Sequence, residues 1–172
     1  VSSAASDVYK RQIPMLPEQL SNIACSLRPH EDKYSFSAIF EMDESGKVYK
    51  EWYGKTVIHS NRRFTYEEAQ EIIEGGEGDH DSELKLLDKI AKVMRKRRLK
   101  NGALSIESEE MRFRLGDKGF PEEVVIKTSK DAHKLVEEFM LLANRHVAMF
   151  LGKPNEHRPK STCIYRVHDT PD

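Results

Sequence analysis

Cysteine is nearly missing from this chain: Cys25 and Cys163 are the two present, far apart and in no C-x-x-C spacing. That spacing excludes a zinc ribbon or a dithiol redox motif. With no signal-peptide pattern, it fits a reducing, cytoplasmic setting in which both are buried thiols. Long apolar runs are missing too. The longest, Phe139–Ala143, falls far short of the roughly 18 residues needed to cross a bilayer, so no membrane span is expected. Neither charge is in excess: 28 Lys plus Arg stand against 29 Asp plus Glu. Bulk charge therefore gives no polyanion signal, and only local clustering could attract nucleic acid. No two histidines lie at i, i+4 on a predicted helix, and there is no G-x-S-x-G elbow, P-loop or G-x-G-x-x-G. Zinc hydrolysis, acyl transfer and nucleotide binding thus have no local support.

What is present is patterned. A chain of 172 residues can bury roughly 70% of its unfolded surface, enough for one domain or part of one. Residues 1–12 are small, polar and unpatterned and read as a non-native leader, set aside from the fold. Residues 34–43 alternate polar and apolar, Glu44–Lys47 makes a turn and 48–59 resumes strand composition, which predicts a long β-hairpin. Thr65-x-x-Glu68 is a capping box opening a helix to Glu74, broken by Gly75–Asp81. From Ser82 to Lys100, Leu84, Leu87, Ile90, Ala91 and Met94 form one helical stripe, stopped by Asn101-Gly102. Strands are expected at 103–107, 111–115 and 124–127, with Gly116–Gly119 as a hairpin turn. Ser129 is placed to cap a helix over 130–151, with Asp131 opposing the dipole. Its broad apolar face holds Ala132, Leu135, Val136, Phe139, Met140, Ala143, Val147 and Phe150, while Leu141 lies opposite, among Lys134, Glu138 and Arg145. Apolar residues on both sides predict a helix set inside something larger. A polar linker, 153–160, leads to a last strand at 162–168.

Four local features draw a functional reading or a plainer one. Arg95-Lys96-Arg97-Arg98, with Lys92 and Lys100, ends the second helix; this is either helix-terminus charge with a solvated face or a set of phosphate contacts. Glu67 to Glu83 holds eight acidic residues and no Lys or Arg, and is read as solvated surface. On the 130–151 helix, His133, Glu137 and Asn144 line one edge. A carboxylate there could accept a hydrogen bond from a ribose 2′-OH, or simply pair with a neighbouring cation. Tyr66 could stack on a base or pack into a core.

IPMLPEQLS…CSL at 13–27, SIESEE at 105–110, RFRLGDKG at 112–119, DAHKLVEEFMLLAN at 131–144 and YRVHDTPD at 165–172 occur in one order. In that order they resemble the ribonuclease II/R family, most of all its ribonuclease R branch, over nearly all of 13–172. The resemblance implies an α+β fold: an incomplete RNB-type catalytic domain of β-hairpins and several helices packed around the 130–151 helix. It also implies a processive, magnesium-dependent 3′-to-5′ exoribonuclease that releases nucleoside 5′-monophosphates. In that family the single-stranded 3′ end of the RNA enters a channel, flanked by OB-fold domains. The family's metal-binding aspartates precede the IPMLP motif and its assisting arginine follows the part seen here, so no catalytic or metal residue is assigned and the chain alone is expected to be inactive. Tyr66 matches a tyrosine that packs against RNA near the cleavage site. Glu137 matches a helix glutamate associated with choosing RNA over DNA. Tyr9 lies too close to Ile13 to match the family's aromatic clamp and is not assigned. The alternative is a non-catalytic RNA-binding or scaffold protein derived from that fold.

Overall fold

A computed structural model describes residues 15–104, 110–115 and 121–153, together with Val167. The expected leader 1–12, Cys163, the 105–107 part of a strand, the Gly116–Gly119 turn, the linker beyond 153 and the last strand apart from Val167 lie outside the described residues. The chain divides into two compact units, Val1–Ser37 with Gly54–Arg63 and Ala38–Tyr53 with Phe64–Asp172.

Strands β1 (Asp32–Met42) and β2 (Val48–His59) form the expected hairpin. In the first unit Ser37 and Thr56 share a 2.6 Å hydroxyl hydrogen bond, and Asp32 meets His59 at 2.7 Å. Lys33 pairs with Glu31 at 2.7 Å and holds that carboxyl below its ordinary range. The segment before β1 forms a π-helical turn, Gln19–Ala24, with no buried residue. Cys25 follows it and is exposed, which corrects the expected buried thiol: no apolar layer covers the turn that carries it.

The second unit begins with the distal half of the hairpin. At its turn the Asp43 carboxylate accepts hydrogen bonds from the Ser45 hydroxyl (2.6 Å), the Tyr49 hydroxyl (2.6 Å) and the Lys47 amide (3.1 Å). These bonds, Ser45's first, hold its carboxyl well below the usual carboxylate range. Gly46 takes φ +73°, and a Cβ there would lie 2.7 Å from Met94 Cγ, so both backbone and space demand glycine.

Helix α1 (Tyr66–Ile73) starts with the predicted capping box: the Glu68 amide donates to Thr65 Oγ1 at 3.2 Å and the Thr65 amide to Glu68 Oε2 at 2.8 Å. Helix α2 (Asp81–Lys100) ends at Asn101, with Gly102 at φ +95° turning the chain away. Its stripe differs from the expected one. Leu87 is exposed and Asp88 is buried, because Lys92 one turn on pairs with Asp88 at 2.7 Å and also reaches Asp131 at 3.0 Å. The two carboxylates, Asp88 foremost, raise the Lys92 ammonium above its ordinary value.

Helix α3 (Asp131–Gly152) is capped by Lys130 and not by Ser129, which lies one residue too early. Its first turn is closed by His133 Nδ1, which accepts the Lys130 amide at 3.3 Å. Three positions contradict its expected amphipathicity: Val136 and Met140 are exposed, and Glu138, expected on the polar side, is 4% exposed. Beyond Gly102, Ala103 and Leu104 lie outside any strand. Strands β3 (Glu110–Leu115) and β4 (Pro121–Lys127) pair antiparallel from Glu110 opposite Lys127 to Leu115 opposite Pro121. The register shifts between Arg114 and Leu115, where proline offers no ladder donor.

Where the three helices meet, Ile72, Ile90, Ala91, Met94 and Ala132 are buried. Burying a side chain of the size of Ile or Met stabilises by roughly 1.5–3 kcal/mol, so this small core needs help from polar contacts. Phe40, Tyr53 and Phe150 add an aromatic cluster, with Tyr53 and Phe150 centroids 4.4 Å apart and His146 bonded to Glu51 at 2.7 Å. Burial, with the Glu51 charge beside it, pushes the Tyr53 hydroxyl up to about 12.

Candidate functional site

Thr65 fixes the first turn of α1, and Tyr66 is the residue that turn presents. It is 42% exposed, and its ring lies flat on that of His133, with centroids 4.0 Å apart and planes 9° from parallel. The amide of Lys130 orients the imidazole through Nδ1, which places the proton of a neutral ring on Nε2. Gln70 locks the helices together beneath the stack: its Oε1 accepts the Ala132 amide at 2.9 Å, and its Nε2 donates to Glu74 at 2.8 Å. Phe64, Ala69, Ile73, Leu84, Leu135 and Val136 line an apolar recess of about 350 Å³ that Tyr66 borders.

Glu137 sits one helical turn beyond His133. Its side chain is 53% exposed, and its Oε1 accepts a hydrogen bond from Arg98 Nη2 at 3.1 Å. The same guanidinium engages Glu138 side-on, Nε to Oε1 at 3.0 Å and to Oε2 at 3.4 Å, with Nη2 to Oε1 at 2.5 Å. Glu138 is foremost in raising the Arg98 guanidinium above its ordinary value. Tyr66, His133 and Glu137 are thus brought together, while Asn144 is exposed two turns further along α3.

Much of the basic run has structural work. Arg97 donates to the Gly46 carbonyl at 3.1 Å, Arg98 binds the two glutamates and Lys92 binds two aspartates. Sequence reasoning missed the Arg98–Glu138 pair, whose partners stand 40 positions apart; only the placing of charges along two helices that face each other could have hinted at it. Among the described residues, no three His, Cys, Asp or Glu side chains converge to hold a metal ion. Nor, among them, is any helix long and apolar enough to cross a membrane. The arrangement offers a flat aromatic platform and, one turn away, a carboxylate with acceptor capacity left over.

The sequence profile of the RNB domain matches residues 3–172, taking in most of the segment expected to be a leader. The chain is 38% identical to DIS3-like exonuclease 2 of Schizosaccharomyces pombe over 88% of its length and 18% of that protein's. It is 41% identical to DIS3-like exonuclease 2 of Caenorhabditis elegans over 99% of its length and 22% of that protein's. The chain therefore spans about a fifth of the length of these relatives. Among solved structures, it resembles Mycoplasma genitalium RNase R in complex with ribose methylated single-stranded RNA: TM-score 0.72 and 27% identity, covering 80% of this chain and 22% of that one.

Proposed function

The chain belongs to the RNB domain family, and on that premise we propose that it supplies an RNA-holding wall of a 3′-to-5′ exoribonuclease that hydrolyses RNA to nucleoside 5′-monophosphates. The observation that carries this reading is the Tyr66–His133 stack set one turn from Glu137. An aromatic face exposed at a helix start can take a nucleobase of any identity, as a sequence-tolerant nuclease requires. Glu137, with a second oxygen beyond the one held by Arg98, can accept a hydrogen bond from a ribose 2′-OH, the group that separates RNA from DNA. RNase R, one structural neighbour, was solved with a ribose methylated single-stranded RNA, which supports RNA binding by this fold.

Hydrolysis in such an enzyme would call on a divalent cation, magnesium on this reading, to supply water activation and leaving-group stabilisation. The described residues do not fit that ion, since they assemble no group of three or more ligating side chains. What they fit is binding: Tyr66 grips a base and Glu137 reads a sugar. The same reading gives the parent protein flanking OB-fold domains, a channel for a single-stranded 3′ end and a cytoplasmic setting.

The test is a pair of measurements on the purified chain. A labelled single-stranded RNA is incubated with magnesium, and matched RNA and DNA strands are titrated by fluorescence anisotropy. The expected outcome is no mononucleotide release above a mock preparation, with RNA bound more tightly than DNA. Tyr66→Ala is expected to weaken both strands by roughly five- to a hundredfold, as loss of one stacked base predicts. Release of mononucleotides would overturn the division between binding and chemistry, and equal affinity for the two sugars would overturn the role of Glu137.

A further inference from the structure

We infer that Arg98 is a positioning residue for sugar selection: anchored on the buried Glu138, it holds the Glu137 carboxylate in the orientation that reads the ribose. The inference rests on the proposed role of Glu137 and adds the device that makes that role possible. Glu137 alone is poorly suited to discrimination. Its side chain is 53% exposed and has three rotatable bonds, and freezing them on contact with a sugar would consume much of what the hydrogen bond gives. Arg98 removes that cost in advance. Its planar guanidinium is fixed by three contacts to Glu138, which at 4% exposure has little room to move, and the outer edge of the same plane meets Glu137 Oε1 at 3.1 Å.

Charge supports the same assignment. Two adjacent carboxylates on α3 face one guanidinium from α2, so a net negative charge remains on the exposed member. Arg98 occupies Glu137 Oε1 and leaves Oε2 to accept a hydroxyl hydrogen, while its positive charge softens repulsion of the phosphates on either side. A lysine could serve Glu138 as a point charge but lacks the rigid plane that spans both glutamates.

The experiment compares the anisotropy-measured ratio of RNA to DNA affinity across four forms of the full chain, with matched 5′-labelled single strands as probes. These are the unmodified chain, Glu137→Gln, Arg98→Lys and the paired Arg98→Met/Glu138→Leu. The paired form replaces the ion pair by apolar side chains of similar length, a change that commonly preserves folding. Loss of positioning is expected to lower the ratio by roughly three- to tenfold in the paired form, and by less in Arg98→Lys, with DNA affinity moving least. If the paired form melts without cooperativity, Arg98→Lys decides. A full ratio in the deciding variant, alongside a lowered one in Glu137→Gln, overturns the inference and leaves the reading of Glu137 standing. An unchanged ratio in Glu137→Gln, or no RNA preference in the unmodified chain, overturns both.

Discussion

The two units of this chain solve the problem of a small core in opposite ways. In the three-helix unit, polar side chains tie α3 to the other two helices: Gln70 to the Ala132 amide, Lys92 to Asp131, Arg98 to Glu137 and Glu138. In the other unit, Leu16, Leu20, Ile23, Leu27, Tyr34 and Phe36 stand largely in solvent, and the polar contacts run between hairpin neighbours. The difference teaches what each is built for. Directional bonds between helices fix the relative positions of Tyr66, His133 and Glu137 more tightly than apolar contact could, as the proposed reading surface would require. The apolar side chains exposed in the other unit supply no such fixing contacts.

The contrast can be broken first at Arg98. Arg98→Ala leaves Glu138 buried without its cation and is expected to cost about 3–5 kcal/mol, measured as the shift in a urea transition. A change below 1 kcal/mol would mean that the ion pair is ornament. Thr65→Ala removes one hydroxyl acceptor from the capping box and is expected to cost about 1 kcal/mol, with faster amide exchange confined to the first turn of α1. The smallest effect sharpens the other side of the comparison. Phe36→Ser is expected to change stability by no more than about 0.5 kcal/mol while reducing the binding of a hydrophobic dye. A large loss of stability there would show that the exposed ring takes part in a core.

The local elements were legible because their signals are local. Thr65-x-x-Glu68 satisfies amides within one turn, and Asp43 to Tyr49 closes the hairpin over seven positions. The first hairpin and the three helices accordingly fall within a few residues of the spans read from pattern. What pattern could not supply was the pairing of distant charges. Glu138 lay on the polar side of its helix by periodicity, and only the approach of α2 turns that side into an interior. Leu87 and Asp88 exchanged burial for the same reason, since Lys92, which also reaches Asp131 on α3, draws the aspartate inward. Cys25 failed in the other direction: its lack of any ligand spacing suggested a buried thiol, and the π-helical turn before it buries nothing. Of the candidate site, Tyr66 and Glu137 were named from family resemblance. Their joining through His133 was visible only in the geometry.

The most direct test of the central claim is an NMR titration of the isotopically labelled chain with matched single-stranded RNA and DNA. The account predicts that both strands shift the resonances of Tyr66 and His133, and that RNA alone strongly shifts the side chains of Glu137 and Arg98. Perturbations centred away from residues 64–73, 130–144 and Arg98, or equal shifts at Glu137 from both strands, would contradict it.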